Sequence, residues 1–276
     1  MVIPLGDIVA RGSRSAVRAF GSGAVIKVPD AGTPVEWILA EAEHVEAARA
    51  AGAPAPRLLG IEEIAGRAAT VWERVDGASM WERVIDRPDL SGQMGQLLAD
   101  VQLALFDLVP PVTLPAQRDR LTSKIRRAAA TVDRSLSRAL DLLPSRAGPL
   151  RLCHGDLHPS NVLLAADGPM IVDWFDASRG DPVADIARSS LLLGDGKHTP
   201  AHLPGADPAT LGVFTQAYLS RLRERLELSD DEIALWQAIN AVARLAEGLP
   251  RAPLLEVWDR FELDRRPGRS AHAAAS

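Results

Sequence analysis

The sequence predicts an α+β protein in two lobes, a small β-rich lobe over residues 1–76 and a larger helical lobe over residues 77–264. Short apolar runs separated by glycine-containing turns fill the first lobe, a pattern typical of strands. After Gly77, apolar residues recur at helical spacing instead. The small and polar residues 265–276, broken by Pro and Gly, predict a disordered tail.

The first lobe is predicted to hold five strands and a helix. The strands cover residues 5–10, 16–20, 24–28, 57–61 and 68–72. The helix lies between the third and fourth strands, with Thr33 as its N-cap, Pro34 at its first position and Glu36 closing a capping box. Gly52 is expected to end that helix.

The second lobe is predicted to be mainly helical, and Ser79 and Glu82 form its first capping box. Further helices are predicted over residues 90–108, 117–143, 208–226, 230–247 and 254–261. Residues 117–143 contain many arginines, which we interpret as the solvated face of one long helix.

Composition excludes several kinds of protein. The formal net charge of −5 argues against a non-specific nucleic-acid binder. The single cysteine, Cys153, excludes a disulfide framework and fits a reducing compartment. No segment resembles a signal peptide, and no apolar run approaches the ~20 residues that span a bilayer. We therefore expect a cytoplasmic protein that binds neither nucleic acid nor membrane.

Polar side chains crowd the segment Cys-His-Gly-Asp-Leu-His-Pro-Ser-Asn, residues 153–161. The Asp167-Gly168 pair that follows predicts a hairpin turn between two apolar runs. Symmetry about Asp167 places Asn161 opposite Asp173 at the open end, where neighbouring strands lie about 4.8 Å apart. Amide and carboxylate oxygens suit Mg²⁺, which keeps several waters and also binds substrate phosphates.

Three other interpretations of this segment are weaker. A zinc site would need His154 and His158 on one helical face, but Gly155 and Pro159 disfavour a continuous helix. A serine hydrolase would need a Gly-x-Ser-x-Gly elbow, which the sequence lacks. A polar turn whose side chains bond only local backbone remains as the structural alternative.

The motif His-Gly-Asp-Leu-His-Pro-Ser-Asn, followed by Ile-Val-Asp-Trp, resembles the catalytic and metal-binding segments of the aminoglycoside phosphotransferase family. Choline kinase and protein kinases are relatives of that family, and the likeness extends from about residue 5 to residue 250. It implies a protein-kinase-like fold, with ATP (or GTP) and Mg²⁺ as cofactors. It also implies Asp156 as the catalytic base, Asn161 and Asp173 as metal ligands, and His154 as an architectural residue of the loop.

A phosphotransferase must also hold the nucleotide. Lys27 lies within an apolar run and resembles the strand-borne lysine that contacts ATP phosphates, although a lysine on an edge strand is the alternative. Its expected partner is Glu41, on the most apolar face of the first helix, with Glu43 as the alternative. The remaining positions that the resemblance assigns to the nucleotide are Gly12, Ser13 and Ser15 in the phosphate-covering turn and Glu73 and Val75 at the lobe connector.

Other positions bear on packing and on the acceptor. Asp185 is expected to anchor the catalytic loop. Phe175 and Gln102 stand where many members of the family carry an acid and a His, which leaves substrate and local packing open. His158 is interpreted as loop structure, with a substrate contact as the alternative.

Acids and arginines balance in the last third of the chain, so composition does not predict a cationic acceptor. The leading hypothesis is an ATP-dependent phosphotransferase acting on the hydroxyl of a small molecule, either an antibiotic or a metabolite. A nucleotide-binding regulator without transfer activity and a protein kinase are the alternatives. Oligomeric state and the choice between ATP and GTP are not predicted.

Overall fold

An antiparallel sheet forms the amino-terminal lobe of the computed structural model, which describes residues 5–12, 14–132, 136–143, 150–194, 205 and 207–264. Its strands are β1 (Leu5–Arg11), β2 (Ser15–Phe20), β3 (Ala24–Pro29), β4 (Leu58–Ile64) and β5 (Arg67–Glu73). Their order is β1-β2-β3-β5-β4, so β3 has a neighbour on each side. The predicted disordered tail, residues 265–276, lies outside the described part of the chain.

Helix α1 (Val35–Ala50) packs on this sheet, and Ala42, Val45 and Ala48 are buried together with Trp72 of β5. The predicted capping box at its start is wrong. Pro34 is the N-cap residue, with an extended ψ of 137°, and the N-cap makes no side-chain hydrogen bond. The helix therefore starts one residue later than predicted, since the chain is still extended at the proline.

Helices dominate the second lobe. They are α2 (Met80–Asp86), α3 (Ser91–Phe106), α4 (Gln117–Ala129), α5 (Ser137–Asp141), α6 (Pro182–Leu193), α7 (Pro208–Arg223), α8 (Asp230–Arg244) and α9 (Arg251–Asp264). The Ser79–Glu82 capping box at α2 is present as predicted. The two-lobed α+β fold class is confirmed.

The described part of the carboxy-terminal lobe contributes to two apolar cores, the first of which also includes residues of α1 and β5. One is centred on the crossing of α3 and α7, where a Cβ on Gly95 would lie 2.3 Å from the Phe214 carbonyl oxygen, so only glycine permits this approach. The other is formed by α4, α8 and α9 and includes Ile125, Ile239 and Trp258. None of the described helices is long and apolar enough to cross a membrane.

The predicted single helix over residues 117–143 is wrong. Helix α4 ends at Ala129, and the short helix α5 begins at Ser137 after a turn. Apolar residues Leu121, Ile125 and Ala128 are buried along α4, as the helical spacing predicted. That spacing does not mark where the helix ends, because residues 130–132 leave the helix and α5 packs separately on α8.

Short strands frame the polar segment of residues 153–161. They are β6 (Arg151–Cys153), β7 (Val162–Ala165), β8 (Gly168–Ile171) and β9 (Ser178–Gly180), with β6 paired to β9 and β7 paired to β8. The predicted hairpin forms, but its register is shifted by one residue. Val162 pairs with Ile171 and Ala165 with Gly168, so the turn is Ala166-Asp167 and is not centred on Asp167.

Candidate active site

His154 sets the shape of the loop formed by residues 153–161. It is fully buried and lies edge-on against the Trp174 ring at 4.8 Å. Its Nδ1 accepts a hydrogen bond from the Asp156 amide at 3.3 Å, and its Nε2 therefore donates to the Val172 carbonyl at 3.1 Å. One neutral imidazole thus joins the loop to the strand that precedes Asp173, in agreement with an architectural role.

Asp185 anchors the same loop from the first turn of α6. Its carboxylate accepts hydrogen bonds from the Gly155 amide at 2.7 Å and the His154 amide at 3.3 Å. Gly155 has a φ of +78°, and a Cβ there would lie 2.3 Å from the Asp176 carbonyl oxygen. The loop can therefore make this turn only with glycine.

Gln102 holds the Asp185 carboxylate in place through a hydrogen bond. Its amide nitrogen donates to Asp185 Oδ2 at 2.9 Å, and its amide oxygen accepts from the Tyr218 hydroxyl. The same amide nitrogen also donates to the Ser189 hydroxyl at 3.3 Å, so Gln102 is fully hydrogen-bonded within the core.

Asp156 points away from the loop toward a buried arginine. Its Oδ1 accepts from Arg188 Nη2 at 2.8 Å, and His158 Nε2 lies 3.9 Å from its Oδ2. Burial alone would raise the pKa of Asp156, but Arg188 and His158 together hold it below its ordinary value. The carboxylate is therefore ionised at neutral pH and able to accept a proton.

Asn161 and Asp173 lie at the open end of the hairpin, although not directly opposite one another. The Val172 amide donates to the Asn161 carbonyl at 2.9 Å, so Asn161 stands opposite Val172 and Asp173 follows one residue later. Asp173 has a left-handed φ of +64°, which turns the chain away from the strand. This turn carries its carboxylate toward the amino-terminal lobe and Lys27.

Lys27 lies between two carboxylates. Its Nζ is 2.5 Å from Glu41 Oε1 and 3.2 Å from Asp173 Oδ1, which joins the two lobes. Burial alone would lower the pKa of Lys27, but Asp173 and Glu41 raise it above its ordinary value, so the ammonium stays charged. Lys27 is on the interior strand β3, which excludes the edge-strand alternative. Glu43 is exposed, so the alternative partner is excluded as well.

The expected phosphate-covering turn connects β1 and β2. The Gly12 amide donates to the Ser15 carbonyl at 2.9 Å and so closes the turn instead of facing a ligand. Ser15 starts β2 opposite Pro29 of β3, and Ser13 lies outside the described residues.

The connector between the lobes follows β5. The Glu73 amide donates to the Arg57 carbonyl at 3.0 Å, and the Glu73 carboxylate accepts from the Arg57 amide at 2.9 Å. Val75 lies two residues further on and is half-buried. The Glu73 amide and side chain are therefore both occupied by hydrogen bonds to the Arg57 backbone.

Phe175 bridges α1 and α4. Its ring lies 5.7 Å from the Trp37 ring, and the Arg120 guanidinium lies 5.5 Å from the Phe175 ring centroid. Its carbonyl accepts from His44 Nδ1 at 3.1 Å. An aromatic residue at this position therefore packs between the lobes, where an acid would face Trp37.

Sequence analysis missed a group of buried ion pairs beside Asp156. Arg188 Nη2 is 3.2 Å from Glu247 Oε1, and Lys124 Nζ is 2.6 Å from Asp176 Oδ2 and 3.1 Å from Glu247 Oε1. Arg120 also pairs with Asp176. The interpretation of the α4 charges as a solvated face is wrong for Arg120 and Lys124, whose side chains are 19% and 14% exposed. Their spacing of four residues, on one face of the helix, was the available signal.

Acidification should destabilise the protein in part through His44. Burial and the nearby Arg120 hold its pKa below its ordinary value of 6.5, so the unfolded chain binds this proton more tightly than the folded one. Stability contributed by neutral His44 is therefore present above pH 6.5 and is lost as the pH falls below that value. We expect wild type to lose more stability than His44→Gln between about pH 7 and about pH 5 in denaturant unfolding.

The comparison of the two proteins at each pH removes the contributions of other groups. Glutamine at position 44 keeps a donor for the Phe175 carbonyl without a titrating ring. Parallel pH curves for the two proteins would contradict the assignment to His44.

The protein has a β-rich lobe with an ion-paired lysine and a helical lobe with a His-x-Asp-x-x-x-x-Asn loop. This combination defines a two-lobed transferase with a protein-kinase-like fold. The model of the phosphotransferase enzyme family designated APH matches residues 9–228. The chain belongs to this family.

Solved structures show the same fold. An aminoglycoside-3'-phosphotransferase of type VIII is 21% identical, with a TM-score of 0.62 over 87% of this chain and 93% of that one. The apo form of a thermostable mutant of aminoglycoside phosphotransferase APH(4)-Ia is 17% identical, with a TM-score of 0.64 over 94% of each chain. A choline/ethanolamine kinase family protein from Mesorhizobium loti is 18% identical, with a TM-score of 0.58 over 97% of this chain and 90% of that one. A search of curated proteins gave no match.

Proposed function

We propose that this protein transfers the γ-phosphoryl group of ATP to a hydroxyl group of a small molecule. The observation that carries the proposal is the Lys27–Glu41 and Lys27–Asp173 ion pairs. They join the lysine of the amino-terminal lobe to Asp173, which directly follows the residue that bonds to Asn161. Phosphoryl transfer depends mainly on positioning and charge neutralisation, and this arrangement supplies both.

Asp156 is the proposed base. The acceptor oxygen forms a bond to the γ-phosphorus. At the same time the bond between the γ-phosphorus and the β,γ-bridging oxygen breaks, and the electron pair of that broken bond leaves with the nucleoside diphosphate. The proton of the acceptor hydroxyl moves to the Asp156 carboxylate. Ionisation of Asp156 at neutral pH, favoured by Arg188, is what this step requires.

Asn161 and Asp173 are the proposed ligands of Mg²⁺. The Asn161 amide nitrogen donates to the Asp156 carbonyl at 3.0 Å, which leaves its amide oxygen as a ligand. Lys27 holds the pKa of Asp173 below its ordinary value, so this carboxylate is charged. Two oxygen ligands fit a cation that completes its shell with water and phosphate. Bound Mg²⁺ would neutralise charge on the nucleotide phosphates.

The nucleotide is proposed to lie between the lobes. Lys27 would contact its phosphates and Glu41 would hold that ammonium in place. The turn containing Gly12, Ser13 and Ser15 would cover the phosphates, and the main chain of Glu73 and Val75 would contact the base. Relatives in this fold were solved with GDP and with AMP-PNP, which supports either ATP or GTP as the donor.

Thermal unfolding with ATP, ADP and GTP, each with and without Mg²⁺, tests this function. A nucleotide at about 100 times its dissociation constant should stabilise wild type by about 2.7 kcal/mol. We expect Asp173→Ala to lose the metal-dependent part of that stabilisation. Asp167→Ala, which removes an exposed carboxylate from the same hairpin, should keep it. Absence of nucleotide binding to folded wild type would refute the proposal.

A further inference from the structure

Asp173 has a strained backbone conformation. Its φ of +64° is left-handed, and among the described residues the only other non-glycine residue with a positive φ is Ala65, in the turn between β4 and β5. A conformation of this kind persists only where surrounding contacts enforce it. The Asp173 side chain is 43% exposed, so packing of that side chain does not supply the constraint. Contacts of the neighbouring residues are therefore needed to hold Asp173 in this conformation.

The residues on both sides of Asp173 are bonded within the carboxy-terminal lobe. The Val172 amide donates to the Asn161 carbonyl at 2.9 Å, and Nε1 of the buried Trp174 donates to the Ile171 carbonyl at 2.9 Å. These bonds fix the segment within its own lobe, but they do not connect it to α1.

His44 supplies a bond to this segment from the amino-terminal lobe. It is a buried residue of α1, and its Nδ1 donates to the Phe175 carbonyl at 3.1 Å. Glu41 lies three residues earlier, on the same face of the helix, and pairs with Lys27, which in turn contacts Asp173. Two links from one face of α1 therefore reach the segment that begins at Asp173.

A bound nucleotide would affect these two links differently. Lys27 is proposed to contact the phosphates and Asp173 to bind Mg²⁺, so both members of that ion pair would gain new partners. The His44 bond uses neither group, so nucleotide and metal do not compete for it. Its acceptor is a main-chain carbonyl, and the bond therefore constrains the backbone beside Asp173 directly.

We infer that His44 is a positioning residue for Mg²⁺ binding. Its hydrogen bond to the Phe175 carbonyl keeps Asp173 in the left-handed conformation that directs the carboxylate toward Lys27, and this raises the affinity for the metal. Groups that orient metal ligands without touching the metal typically change metal affinity by about 10–100-fold. This inference rests on the proposed function.

Titration of Mg²⁺ in the presence of AMP-PNP tests the inference, with binding measured by calorimetry well below the melting temperature of each variant. His44→Leu and His44→Ala remove the donor and should raise the Mg²⁺ concentration at half-saturation about tenfold. His44→Asn and His44→Gln keep an amide donor, and at least one of them should stay close to the wild-type value. Glu43→Gln changes an exposed neighbour on α1 and should have no effect. An unchanged value in the donor-free variants, or an equal rise in all four His44 variants, would overturn the inference.

Two comparisons separate this role from general stability and from packing of the Phe175 ring. A structural role alone would lower the melting temperature of His44→Leu without changing the Mg²⁺ concentration at half-saturation. Phe175→Leu removes the ring contacts with Trp37 and Arg120 but keeps the carbonyl that His44 bonds, so its value should stay near that of wild type. An equal rise in Phe175→Leu and His44→Leu would assign the effect to ring packing and contradict the inference.

The same titration distinguishes failure of the inference from failure of the proposed function. If wild type does not bind AMP-PNP, or binds it without dependence on Mg²⁺, the proposed function fails and the role of His44 fails with it. Metal-dependent binding that is the same in wild type and His44→Leu would refute only the role of His44.

Discussion

Replacement of Asp156 by Asn should lower phosphoryl transfer by about 10²–10⁴-fold, the usual contribution of a positioned general base. Asparagine is similar in size but cannot take the acceptor proton. It also cannot neutralise Arg188, which lies 2.8 Å from the Asp156 carboxylate. The measurement is steady-state ATP turnover with a small-molecule hydroxyl acceptor, together with nucleotide affinity.

Nucleotide affinity is the internal control for Asp156→Asn. The ion pairs of Lys27 with Glu41 and Asp173 do not involve Asp156, so Mg-nucleotide binding should be largely retained. Asp167→Asn, at an exposed turn, should keep full activity. An unchanged rate in Asp156→Asn would remove this residue from the role of base, and a protein that no longer binds nucleotide would indicate structural damage instead.

Replacement of Lys27 by Met should lower both stability and activity. Lys27 is 21% exposed and lies between Glu41 and Asp173, whose side chains are 10% and 43% exposed. Removal of the cation leaves Glu41 without its ion-pair partner, at a cost of about 3 kcal/mol in the free energy of unfolding. Asp173 contributes less to this cost because water screens it. ATP turnover should also fall, because the proposed phosphate contact is lost.

A double-mutant cycle separates the two effects of Lys27→Met. Adding Glu41→Gln removes the buried carboxylate that the first change leaves without its cation, so stability should recover in part. Activity should not recover, because the phosphate contact stays absent. If the stability losses of Lys27→Met and Glu41→Gln add up to the loss in the double variant, the Lys27–Glu41 pair has no net coupling.

Most of the secondary structure was predictable, because it depends on patterns within short segments. The alternation of apolar runs and glycine turns predicted β1 to β5, and apolar spacing predicted the positions of α3, α7 and α8. Capping motifs in the sequence predicted the ends of helices less reliably than their positions. The Ser79–Glu82 box formed, whereas the expected box at Thr33 did not, since the chain is extended at Pro34.

The register of the β7–β8 hairpin was not determined by the turn motif. Asp167-Gly168 correctly marked a turn, but a three-residue loop centred on Asp167 and the observed two-residue loop Ala166-Asp167 fit the same letters. The shift moves Asp173 out of the pairing with Asn161, and its positive φ then carries it to Lys27. A turn signal locates a hairpin, and packing of both strands decides which residues face each other.

The sequence by itself determined the β-rich and helical lobes, the family and the catalytic motif, because each depends on residues close together in the chain. Only the tertiary structure placed Glu41 beside Lys27 and grouped Arg120, Lys124, Arg188 and Glu247 beside Asp156. Helical spacing shows which face of α4 is apolar, but not which charges on α6 or after α8 lie opposite it. Those neighbours are set by how the helices pack, over separations that no local pattern spans.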